Sequence, residues 1–187
     1  MNNGTWTGSV MAGCALAAIF AGPAAAGEVQ LGARWGATRL EVDGNRLSSG
    51  SAVNDRLISG GFTLGYRWTQ GPLIEIGTSG SSNFFDLFNI NDLDHTWLAA
   101  GWQFDLNDRW RLTPKAGLVA TQLTSSEEDI FEGGEPVDHL DDTVPFLELT
   151  IGRRLGRYFM LGMYFRENFE EFGGSQMYGM QLHLTFE

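Results

Sequence analysis

From Glu28 onward apolar residues recur at every second position, the spacing that gives a β-strand two unlike faces. Val29, Leu31, Ala33 and Trp35 alternate with Gln30, Gly32, Arg34 and Gly36. The alternation returns over residues 62–68, 74–76, 98–104, 110–118, 147–151, 159–165 and 178–186, which makes eight predicted strands. Their connections alternate in length. Thr69-Gln70-Gly71-Pro72, Asp105-Leu106-Asn107-Asp108 and Leu155-Gly156 read as tight turns, whereas the loops after the first, third, fifth and seventh strands are longer, polar and acidic. An up-and-down meander collects its short connections at one end and its long ones at the other. The pattern predicts an all-β fold, an eight-stranded antiparallel up-and-down transmembrane β-barrel with short periplasmic turns and long outer loops.

Cost decides which face meets lipid. A basic side chain on the lipid face near the bilayer midplane costs roughly 2–4 kcal/mol, so Arg34, Arg67, Glu75, Lys115, Glu148 and Arg166, which share one parity, are assigned to the lumen. The opposite parity is aliphatic and aromatic. Trp68, Trp102, Phe104, Trp110, Phe159 and Phe186 fall near the tight turns and are read as an aromatic girdle at one membrane interface. A soluble lipocalin-like periplasmic binder would invert this geometry and turn the Gly-rich charged parity to water. Pro114 removes a ladder donor in the interior of a strand, and a bulge is expected there.

Residues 9–22 are small and apolar and lead to Pro23-Ala24-Ala25-Ala26, an Ala-x-Ala ending that predicts a signal peptide over 1–26, cleaved after Ala26, ahead of a barrel domain over 27–187. Beyond it no apolar run approaches the roughly 18–20 residues of a spanning helix, so a membrane would be crossed by strands. The single cysteine, Cys14, lies in the leader and leaves no disulfide for the mature chain. A net charge of −11 with 12 Lys and Arg argues against a nucleic-acid partner.

Gly65-Tyr66-Arg67, residues 101–108, Lys115-Ala116-Gly117-Leu118 and residues 179–186 make the chain resemble the OmpA/OmpX-like family of eight-stranded outer-membrane barrels. The resemblance implies an integral outer-membrane protein in contact with lipid and lipopolysaccharide, inserted by the barrel assembly machinery that reads a terminal aromatic residue. Here Phe186 is followed by Glu187.

A lumen of this size holds side chains and little else, so its mixed charges are expected to form an ion-paired network. Some eight-stranded barrels act on lipid A with a His-x-Ser pair and a Glu. The corresponding strand here reads Tyr164-Phe165-Arg166-Glu167-Asn168, with neither His nor Ser. His183 and Thr185 imitate that spacing near the turn end, and His95 and His139 are placed in or beside loops. The segment 125–142 is the most acidic, and Glu127, Glu128, Asp129, Glu132, Asp138, Asp141 and Asp142 form a candidate loop for divalent cations. The sequence thus predicts a non-enzymatic barrel with a structural, envelope-stabilising or adhesive surface role, with no cofactor, no metal and no catalytic residues. A lipid A modifying acyl hydrolase or transferase, or a soluble lipocalin-like periplasmic binder, is the alternative.

Overall fold

The computed structural model describes residues 27–42, 53–82, 89–127, 138–170 and 173–186; the leader and its cleavage point lie outside these. Period-two alternation gives strands throughout: β1 (Gly27–Val42), β2 (Val53–Trp68), β3 (Pro72–Ser82), β4 (Asn89–Trp102), β5 (Phe104–Asp105), β6 (Trp110–Glu127), β7 (Asp138–Arg154), β8 (Phe159–Asn168) and β9 (Gly173–Phe186). β5 continues the line of β4 past Gln103, so the nine segments make eight staves. Every pairing is antiparallel, β1 pairs with β9, and β4 pairs with β6, so the sheet closes into a barrel.

The register fixes the shape of that barrel. Cross-strand partners followed from Val29 pass through Tyr66, Ile74, Ala100, Ala116, Leu147, Glu167 and Gln176 and regain β1 at Arg39, ten residues along. With eight staves that stagger tilts the strands by about 40° and leaves an interior that side chains can fill.

Pro114 is accommodated without a bulge. Gly101 faces Lys115 and Phe104 faces Leu112 in one unbroken register, so no extra residue enters. The ladder lapses beside the proline, which has no N–H, and the Gln103 amide donates instead to the Gly71 carbonyl at 2.7 Å. Gly71 itself turns the β2–β3 corner at φ 110°, a left-handed conformation open to glycine at little cost.

The outward face through the lower barrel is apolar, with Phe62, Leu118, Leu147, Leu149, Met163 and Phe165 all exposed. Toward the loop end the strands run further than the hydrophobic alternation predicts, and there the polarity reverses. Leu40, Leu57, Leu93, Leu123 and Met177 are buried inside, while Arg39, Arg56, Asp92, Asp94, Gln122 and Asp141 are exposed outside. One β-tube is therefore built on two plans. Its lower part has a polar interior within an apolar belt, as lipid requires, and its upper part buries leucines and a methionine among Thr38, Ser81 and Ser175 within a polar exterior, as a protein in water does.

Candidate functional site in the barrel lumen

The lumen is filled from the turn end upward by three polar layers. At the mouth Glu28, from β1, accepts from Arg67, Arg111 and Arg154, each at 3.4 Å. Asp105 pairs with Arg67 at 2.9 Å and with Arg111 at 2.8 Å. Gln103 joins this layer, accepting from Arg111 and donating to Thr113.

The centre holds five of the six charges assigned to the lumen. Glu148 on β7 receives Arg34 at 2.8 Å, Arg166 at 2.7 Å and also Lys115. Lys115 reaches across to both oxygens of Glu75 at 2.9 Å, and the Trp97 indole N–H donates to the same carboxylate at 3.2 Å. Three cations thus meet two carboxylates in a space with almost no water access. Aromatic rings take part of the surplus positive charge, as a quadrupole allows. Arg166 lies 3.9 Å from the Trp97 ring centroid and 4.2 Å from that of Phe146, while Arg34 lies 3.9 Å from Tyr164 and 5.1 Å from Trp97. Both guanidiniums therefore lie against the one indole. Gly77, its partner across β3 and β4, makes room for it, since a Cβ there would fall 2.2 Å from the indole. The sixth assigned charge, Arg67, belongs to the mouth instead.

The upper layer was not anticipated. His95 is not beside a loop but lies inside β4 and is fully buried, 3.6 Å from Glu170. Ser175 donates to Glu170 at 2.6 Å and accepts from Asn168 at 2.8 Å. Serine, carboxylate and imidazole therefore meet, but with the carboxylate in the middle. The serine proton is directed to Glu170 and not to the imidazole, so the order of nucleophile, base and orienter that acyl transfer uses is not formed. His183, in the lower lumen, is buried with neither ring nitrogen hydrogen-bonded.

The girdle residues lie at the turn end on the outer parity. Trp102, Phe104, Trp110, Phe159 and Phe186 are exposed, Trp102 stacks on Phe104, and half-buried Trp68 meets Tyr66 edge-on. Of the acidic set, Glu128, Asp129 and Glu132 lie outside the described residues. Glu127, Asp138, Asp141 and Asp142 stand on β6 and β7 rather than in a loop, and Asp142 accepts from the Thr143 amide at 2.7 Å. Among the described residues no three His, Cys, Asp or Glu cluster as a metal site.

An apolar belt around a charged, filled, closed eight-stave lumen is the construction of an outer-membrane barrel, and the family of the outer membrane protein β-barrel domain matches residues 12–185. The chain belongs to that family. It is a protein of the outer membrane, crossing it with strands. No curated protein matches in sequence. Among solved structures the barrel is similar to the attachment invasion locus protein Ail of Yersinia pestis in complex with the heparin analogue sucrose octasulfate, with 12% identity, 86% of this chain and 99% of that one covered, and a TM-score of 0.62. It is similar to Neisserial surface protein A, with 14% identity, 86% and 97% coverage and a TM-score of 0.64. It also resembles the N-terminal barrel domain of Pseudomonas aeruginosa OprF, with 15% identity, 86% and 100% coverage and a TM-score of 0.61. At such identities the likeness is one of fold.

Proposed function

We propose that this outer-membrane barrel is a non-enzymatic surface-presenting protein, whose sealed tube carries its acidic outer end above the bilayer for an envelope-stabilising or adhesive role. The reversal of polarity along the tube carries this reading. A barrel made only to cross lipid has no use for buried Leu40, Leu57, Leu93, Leu123 and Met177 beneath an outer wall of charges. These buried side chains make a firm stalk standing in water.

The lumen supports the same reading, because Glu148 and Glu75 hold three cations across its width and leave the interior to structure. Ail is recorded with a polysulfated sugar analogue. The exposed Asp92, Asp94 and Asp141 here would repel such a ligand, so the surface partner is taken to be basic or bridged by divalent cations, with Glu127, Glu128, Asp129, Glu132, Asp138, Asp141 and Asp142 as its acidic contacts. The test is a chain with residues 128–137 replaced by a Gly-Ser linker and with Asp92, Asp94 and Asp141 changed to Asn, expressed on cells. Loss of cell attachment or of detergent resistance, with the heat-dependent gel shift of a folded barrel retained, supports the reading. Wild-type behaviour in both assays refutes it, and so would steady ion conductance of the purified barrel in planar bilayers.

A further inference from the structure

The turn end is basic where the loop end is acidic. Among the described residues six arginines, Arg67, Arg109, Arg111, Arg153, Arg154 and Arg157, face three carboxylates, Glu28, Asp105 and Asp108, at this rim. The mouth layer uses Glu28 and Asp105 on the three inner arginines. Arg109 and Arg153 are left outside, and among the described residues no carboxylate lies within ion-pair distance of either guanidinium. Both adjoin Trp110 along the backbone. Arg109 precedes Trp110 in the β5–β6 turn, and Arg153 is the cross-strand partner of Trp110, its guanidinium 5.9 Å from the ring centroid.

The backbone around Arg109 and Trp110 is fixed. The Asn107 side chain accepts from the amides of Arg109 and Trp110, each at 2.9 Å, and the Arg109 carbonyl receives the Arg154 amide at 2.7 Å. Exposed Trp110, Phe104 and Phe159 mark the edge of the hydrocarbon at this height. Arg153 beside the interfacial indole and Arg109 next to it in the chain, neither ion-paired among the described residues, present forked donors to whatever lies at the headgroup level, and phosphate oxygens fit that fork.

We propose that Arg109, Trp110 and Arg153 form a binding site for the phosphate of an anionic phospholipid in the periplasm-facing leaflet of the outer membrane. The guanidiniums bracket the headgroup, and the indole lies along the glycerol and upper acyl chain. Position at the belt edge favours a lipid over a soluble protein as the occupant, and the net negative charge of a phosphatidylglycerol-type headgroup distinguishes it from a zwitterionic one.

The test is native mass spectrometry of the purified, delipidated barrel titrated with phosphatidylglycerol, phosphatidylcholine or inorganic phosphate, for wild type, R109Q/R153Q and the loop-end variant R39Q. Wild type and R39Q should retain phosphatidylglycerol in preference to phosphatidylcholine, and R109Q/R153Q should bind it roughly tenfold or more weakly while keeping the heat-dependent gel shift of a folded barrel. Equal retention by the double variant overturns the site, as does equal affinity for the zwitterionic lipid. Displacement of the lipid by inorganic phosphate would show a general anion seat and also overturn it. So would loss of a co-purifying acidic protein with lipid retention intact, which would make the patch a protein-docking face.

Discussion

Glu148 is the residue on which the interior depends most, because Arg34, Lys115 and Arg166 all converge on its carboxylate. Glu148→Ala should cost about 3–5 kcal/mol, since breaking a buried ion pair strands the charges that remain. Urea unfolding of the barrel in lipid vesicles would measure it, and a loss below about 1 kcal/mol would mean that Glu75 and water compensate. Gly77 predicts a second effect of different origin. Gly77→Ala drives a methyl into the Trp97 indole and should destabilise by about 1–3 kcal/mol with a changed tryptophan fluorescence; an unchanged spectrum would disprove that packing. The charges of the central layer were legible in the sequence because lipid penalises them on one parity, which a reader can see. The contact of Trp97 with both guanidiniums was not, because it depends on which strand faces which across the lumen. The meeting of His95, Glu170 and Ser175 was hidden for the same reason, with the glutamate just past β8 and the serine just inside β9.

At the scale of strands, eight alternating runs and the sorting of short and long connections were enough to give the staves and their order. Their outer ends were misjudged. Period-two hydrophobicity signals a lipid-facing strand, and above Leu98 on β4 or Leu118 on β6 the outward residues turn polar while backbone pairing continues, so these stretches read as loop. The boundary can be measured with one kind of substitution at two heights. Leu149→Arg, within the belt, should cost roughly 2–4 kcal/mol of folding free energy in vesicles. Asp94→Arg, also outward-facing but above the belt, should change it by less than about 0.5 kcal/mol. Similar penalties at both sites would place Asp94 within the bilayer and abolish the stalk. Pro114 adds a smaller lesson. The expected bulge never forms, because a missing N–H can be met by a lapse in the ladder with the register kept.

For the molecule as a whole, the outward face changes from apolar to polar along one tube, with a basic rim at one end and exposed Asp92, Asp94 and Asp141 toward the other. The sequence carries this polarity openly in its counts, but which arginines lack a carboxylate partner among the described residues emerges only after Glu28 and Asp105 have been allotted to theirs. The pairing of Val29 with Phe186 sets the first and last strands side by side at the turn end. In such a ring no stave is first, and chain order is only the record of where the polypeptide was cut. Joining Phe186 to Gly27 through a few glycines and opening the chain between Gln70 and Gly71 should therefore give a permutant that still forms the heat-shifting barrel; one that never does would show that assembly reads the order of the staves, and not only their neighbours.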